Sequence, residues 1–264
     1  MKTAISKILE KPEGRKVLVP YLTCGFPDMN NFERLALSVC DAGIDMIEIG
    51  LPFSDPLADG PTIQYSSRTA LDNGFTIEKG FASIGRIAGK VSLPIIIMTY
   101  LNTVRAMGEK RFLRQCRKAG VSGLVIPDLP ADLSDDIGRA CRESCIDLAL
   151  LVAPTTPVER IKKIAEQSKG FLYLVSVKGT TGKRNHFPPG TLSFIKRVKK
   201  LSPVPVLVGF GISSPSMAAE AARFSDGVII GSALIEIIRC NGNLSEASRK
   251  LKLFLQSVEK EMNS

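Results

Sequence analysis

Met46-Ile47-Glu48-Ile49-Gly50 is a short run in which one residue is charged and the rest are apolar or glycine. Runs of the same kind recur at residues 17–23, 94–100, 123–126, 147–152, 171–176, 206–209 and 227–230, which with 46–50 makes eight. Each is short, aliphatic or β-branched and nearly continuous, as a strand buried on both faces should be. Between them lie longer amphipathic stretches at residues 31–42, 77–88, 109–119, 133–143, 157–167, 192–200 and 215–224, and 244–261 closes the chain. Asp28, Thr156 before Pro157 and Ser214 before Pro215 read as helix starts, and Gly43 and Gly120 as helix ends.

Strand–helix alternation implies parallel strands joined by right-handed crossovers. Eight units in a chain of 264 residues predict a single domain over 1–264, a (β/α)8 TIM barrel. An open doubly wound sheet is the alternative. Residues 1–11 mix Lys and Glu with Ile and Leu, without the apolar core of a secretory signal, and predict an extra N-terminal helix.

Composition narrows the function. Hydrophobic residues make up 44% and charged residues 23%, a globular balance with no apolar run long enough to span a bilayer. The net charge of +9 is spread along the chain. Its one dense patch, residues 110–118, reads as the solvated face of a helix, and no nucleic-acid motif accompanies it. Six cysteines, none as Cys-x-x-Cys, read as reduced thiols of a cytoplasmic protein. Cys141 and Cys145 share a helix face, but no histidine nearby completes a metal set. The single histidine, His186, reads as a surface residue and leaves a Ser-His-Asp triad or a multi-His metal site without parts.

In such barrels the active site is built from the loops after the strands. Alternation puts Met46, Glu48 and Gly50 on one face of the second run, with Ile47 and Ile49 on the other. The aliphatic pair suits the surrounding helices, so Glu48 points into the barrel mouth. Lost hydration there raises its pKa toward the range useful for proton transfer. Asp59, eleven residues on, is expected to sit in a wetter loop and stay ionised. Two carboxylates in unlike environments fit divided acid–base roles. The alternative is a buried Glu paired with a Lys or Arg, and a loop Asp that caps a turn. After the last two runs come Gly209-Phe210-Gly211 and Gly231-Ser232, where backbone amides and a helix N-terminus near Ser232 suit a phosphate. Gly179-Thr180-Thr181-Gly182-Lys183, after the sixth run, fits a lid and lacks the P-loop spacing. Each glycine pair by itself is also compatible with a plain tight turn.

Residues 47–60, Ile-Glu-Ile-Gly-Leu-Pro-Phe-Ser-Asp-Pro-Leu-Ala-Asp-Gly, resemble the signature of tryptophan synthase α chains. Val19-Pro20-Tyr21-Leu22-Thr23, Pro61-Thr62-Ile63-Gln64, Tyr100-Leu101-Asn102, Asp128-Leu129-Pro130 and Gly209-Phe210-Gly211-Ile212 extend the likeness along the whole chain. The resemblance implies retro-aldol cleavage of indole-3-glycerol phosphate to indole and glyceraldehyde 3-phosphate, with Glu48 as general acid and base and Asp59 on the indole N–H. It implies substrate contacts from Tyr173, Phe210, Met98 and Tyr100, and a phosphate site at Gly182, Gly211, Gly231 and Ser232. It implies no metal and no cofactor in this chain, and a β subunit carrying pyridoxal phosphate as partner in an α2β2 heterotetramer. The sequence departs from the family where an arginine is usual after the sixth strand and Ser176-Val177-Lys178 stands instead. Lysine lacks arginine's fork, so lid closure is the property affected. Two other readings are an α-like chain that mainly activates the β subunit and a different phosphate-sugar barrel enzyme. A Schiff-base lysine on a strand would mark the last, and no strand run contains one.

Overall fold

The computed structural model describes residues 2–10, 15–176 and 186–264. Its strands are β1 Val17–Thr23, β2 Ile47–Gly50, β3 Ile95–Met98, β4 Val121–Val125, β5 Asp147–Ala149, β6 Leu151–Val152, β7 Leu172–Val175, β8 Val206–Gly209 and β9 Gly227–Ile230. They pair in parallel in the order β5-β4-β3-β2-β1-β9-β8-β7-β6. The two ends of that order, β5 and β6, are halves of one stretch flanking Leu150, so the sheet closes on itself as the expected barrel. The fifth run divides because the Leu150 N–H donates to the Ser168 hydroxyl at 3.0 Å, outside the strand ladder. The Leu150 carbonyl still accepts from the Tyr173 N–H at 2.9 Å and ties the halves to β7.

The helices fall where periodicity put them, within a few residues: Met29–Cys40, Ile77–Ala88, Glu109–Lys118, Ser134–Glu143, Val158–Gln167, Thr191–Leu201, Pro215–Ala222 and Leu244–Met262. Asp28 and Ser214 accept N–H groups of the first turns they precede. Thr156 does not cap its helix. The hydroxyl accepts from the Ala153 N–H and closes a turn, while Pro157 takes the N-cap position. Cys145 lies beyond the end of Ser134–Glu143 with φ +57° and is exposed, whereas Cys141 is buried, so the two do not share a helix face. The basic residues 110, 111, 114, 117 and 118 are exposed, as a solvated face requires, and so is His186.

Two helices were not expected. Pro61–Asp72 buries Ile63, Ser66, Ser67 and Ala70. A half-serine inner face carries little apolar periodicity, which hides the helix in the sequence. Leu101–Met107 is only seven residues long. The N-terminal helix, Ala4–Leu9, puts the fully buried Ile5 against Gly123 of β4 and against Gly170, which closes the barrel at the strands' N-terminal end. Thr3 caps that helix and donates to Asp147 Oδ2 at 2.5 Å. The opposite end, where the strands' C-termini and their loops gather, is left open for a ligand.

Candidate active site

A cleft with about 430 Å³ of empty space opens among the C-terminal ends of the strands. Glu48, Asp59, Met98, Tyr173, Phe210, Gly211, Gly231 and Ser232 all line it. Gly182 lies outside the described residues.

Glu48 is fully buried and pairs in register with Tyr21 of β1 and Ile96 of β3. Among the described residues neither carboxyl oxygen has a hydrogen-bond partner. Among the described residues no lysine or arginine pairs with it, which argues against the buried ion-pair alternative. Burial, and then the charge of Asp59, push its pKa up to about 8. A buried carboxyl without a partner costs stability, so its place in an open cleft points to function.

Asp59 is not the wet loop residue that its position suggested. It is buried, and Tyr100 donates its hydroxyl to Oδ2 at 2.9 Å. The loop is folded inward by three further bonds. The Ala58 N–H donates to the Tyr100 oxygen at 3.1 Å, the Asp59 N–H to the Pro56 carbonyl at 3.0 Å, and Gln64 Nε2 to the Asp59 carbonyl at 2.8 Å. Burial raises the Asp59 pKa to about 6, against the lowering effect of the Tyr100 bond. At neutral pH these values leave Glu48 mostly protonated and Asp59 mostly ionised, two carboxyl groups in unlike states although the loop is drier than expected.

Tyr100 itself does not face the cleft. It stacks on Phe53 at 5.0 Å and supports Asp59 from behind. Tyr173 is buried, with its hydroxyl over Gly209, where any Cβ would overlap it. It meets Phe210 edge-to-face at 5.8 Å. Phe210 has φ +63°, rare for a residue with a side chain, and the Ser176 hydroxyl donates to its carbonyl. The turn presents an aromatic ring to the cleft and leads into Gly211. Ile63, Met98, Ile212 and Ile229 complete an apolar wall. Beyond Ile229, helix Ser232–Arg239 starts at the cleft after Gly231, which caps it without a side-chain bond. Its first bonds run from the Leu234 and Ile235 N–H groups to the Gly231 carbonyl, which leaves the Ser232 and Ala233 amides ahead of them, where with Gly211 they suit an anion.

The cleft thus brings together apolar and aromatic side chains, two carboxyl groups in unlike states and a helix N-terminus of the kind that suits an anion. Tyr21, Ile63 and Ile229 are lining residues that the sequence reading did not single out. For Tyr21 the signal was present: Val19, Tyr21 and Thr23 share one face of a strand beside Glu48. Among the described residues no group of three or more metal-ligating side chains gathers, and no helix is long and apolar enough to cross a membrane.

The family model for the tryptophan synthase alpha chain matches residues 8–263. A tryptophan synthase alpha chain of Dehalococcoides mccartyi is 42% identical over 255 residues, which cover 97% of this chain and all of the relative. That of a Thermoanaerobacter species is 42% identical over 249 residues, 94% of this chain and 95% of the relative. Among solved structures, Mycobacterium tuberculosis tryptophan synthase superimposes with a TM-score of 0.90 at 31% identity over the full length of both chains. The tryptophan synthase α2β2 complex of Pyrococcus furiosus contains a chain that superimposes with a TM-score of 0.85 at 38% identity, covering 92% of this chain and 97% of that one. Sequence likeness from end to end, on the same closed barrel, leads to one conclusion: the chain belongs to the tryptophan synthase alpha chain family.

Proposed function

We propose that Glu48 and Asp59 divide the acid–base work of the family's reaction, the retro-aldol cleavage of indole-3-glycerol phosphate. The chain is a carbon–carbon lyase of that family. The observation that carries the assignment is the buried Glu48 carboxyl in an open cleft, without a hydrogen-bond partner among the described residues.

Cleavage requires a proton at indole C3, so that the ring can leave. The chain hydroxyl beside the ring must lose its proton as the aldehyde forms. Glu48 starts protonated and gives its proton to C3. The resulting carboxylate then takes the hydroxyl proton as the C–C bond breaks, releasing indole and glyceraldehyde 3-phosphate with Glu48 reset. Protonation at C3 leaves positive charge on the indole nitrogen. Asp59, ionised and held by Tyr100, accepts the ring N–H and gains strength as that charge grows. Met98, Tyr173 and Phe210 hold the ring, and Gly211, Gly231 and Ser232 hold the phosphate, fixing the reacting carbons beside Glu48. Gly182 joins the phosphate site by family resemblance alone. The scheme calls on no metal or organic cofactor in this chain.

The partner is a tryptophan synthase β subunit with its own pyridoxal phosphate, in an α2β2 assembly like that of Pyrococcus furiosus. Leu57, Leu133 and Val158 support this. They are exposed by 92%, 58% and 39% and follow β2, β4 and β6 at the open rim, where an apolar docking surface is wanted. The free cysteines fit a reducing, cytoplasmic setting.

Indole release from indole-3-glycerol phosphate by the purified chain, with and without the β subunit, tests the reading. Release is expected in both, and faster with the partner. No release in either, with the β reaction still accelerated, would make the chain a regulatory subunit, against which the intact carboxylate pair argues.

A further inference from the structure

Tyr21 stands on β1 in register with Glu48, is buried, and lines the same cleft. Its ring is fixed at both ends. Cδ1 lies 3.0 Å from where a Cβ on Gly231 would stand, and a Cβ on Gly50 would overlap its hydroxyl. The side chain therefore runs from the anion loop toward β2. A three-carbon chain linking a phosphate at Gly231 to a ring beside Glu48 passes along it.

The hydroxyl's proton can be followed. Ser66 donates to the Ile63 carbonyl at 2.9 Å. In the 2.6 Å pair of Ser66 and Thr23 either hydroxyl can donate. Toward the Tyr21 oxygen, 3.5 Å away, Thr23 is the donor, so this long contact does not use the Tyr21 proton. Burial keeps the Tyr21 proton in place, since its pKa is raised well above the ordinary phenol value. Among the described residues no acceptor takes that proton, and this fixed donor borders the cleft.

We propose that Tyr21 is a specificity-determining residue whose hydroxyl donates to the middle hydroxyl of the substrate's three-carbon chain, the one the reaction leaves intact. The assignment rests on reading the cleft as an indole-3-glycerol phosphate site. Glu48 serves the hydroxyl next to the ring, because that one becomes the aldehyde. The middle hydroxyl is one carbon nearer the phosphate, between the Glu48 end and the Gly231 end of the path that the Tyr21 side chain borders.

The test compares kcat/KM for indole-3-glycerol phosphate and for the analogue with hydrogen in place of the middle hydroxyl, in the parent chain and in Tyr21→Phe, each with the β subunit. The analogue keeps the bond that breaks, so both compounds are cleavable. The parent should prefer the hydroxylated compound by about tenfold, the loss expected for one neutral hydrogen bond, and Tyr21→Phe by less than about twofold. Tyr21→Phe should melt at the parent temperature and lose far less on the analogue than on the hydroxylated compound. An equal preference in parent and variant overturns the assignment. So does an equal loss on both compounds, which would give the ring a packing role instead. If the parent cleaves neither compound, the reading of the cleft falls and this one with it, whereas cleavage with unchanged preference sinks the Tyr21 role alone.

Discussion

Tyr100 donates its hydroxyl to Asp59 at 2.9 Å while accepting the Ala58 N–H at 3.1 Å, so one side chain both folds the loop inward and sets the charge of its carboxylate. The bond lowers a pKa that burial raises to about 6. Tyr100→Phe keeps the stack on Phe53 but removes this lowering. The Asp59 pKa should then rise above 6, toward or past neutrality. At pH 7 kcat/KM should fall by about tenfold, the scale of one lost hydrogen bond to a charged group, and recover in part at higher pH. A loss of the same size at every pH would mean that Tyr100 acts on the loop's shape alone.

The pKa values of about 6 and about 8 give the pH dependence its sign. Asp59 must be ionised, so kcat/KM rises as pH passes 6. Glu48 must hold its proton, so kcat/KM falls as pH passes 8. The profile of the free enzyme is expected to be a bell with its top near neutrality. Asp59→Asn should flatten the acid limb. An alkaline limb that stays near 8 in a variant whose residue 48 cannot titrate would remove Glu48 from that role.

Glu48 also leaves a mark on stability. Its pKa is raised in the folded chain to about 8, from an ordinary value of 4.5. Below pH 4.5 both states hold the proton and the group is neutral in its effect. As pH climbs from 4.5 to 8, the unfolded chain gains by ionising while the folded chain cannot, so stability drains away across that window. Glu48→Gln ends the drain. Cleavage should be lost, binding of a phosphate ligand kept, and the melting temperature at pH 8 raised by roughly 2–4 °C for each kcal/mol recovered. Thermal melts of the parent and the variant at pH 4.5 and pH 8 check this, and a gain no larger at pH 8 than at 4.5 would contradict it.

The strands and most helices could be read from the sequence because burial on both faces writes continuous apolar runs, and one-sided burial writes a helical period. Glu48 could be read for the same reason, as a charge where the pattern demands an aliphatic. Asp59 was placed but its environment was not. Its burial depends on Tyr100, 41 residues away, closing over it, and no local pattern records such a contact. Helix Pro61–Asp72 escaped because its inner face carries Ser66 and Ser67, both buried, one bonded to Thr23. The turn at the proposed phosphate end could be read through glycine, since Gly211, with φ +79°, leaves a trace in residue type.

The proposed phosphate end allows stability and binding to be set against each other. Ser232 begins the helix Ser232–Arg239 and lines the cleft, so the helix's positive dipole end lies there. A carboxylate at that position is a good helix partner and a bad phosphate neighbour. Ser232→Asp should therefore hold or slightly raise the melting temperature, by the ~0.3–1 kcal/mol that an acid at a helix N-terminus contributes. The same change places a negative charge where the substrate's phosphate belongs. KM should rise by about 100-fold or more, in keeping with a few kcal/mol of repulsion at close range, with kcat far less affected. Steady-state kinetics and a melt on one preparation read both quantities. A variant that melts higher yet keeps its KM would place the phosphate elsewhere in the cleft.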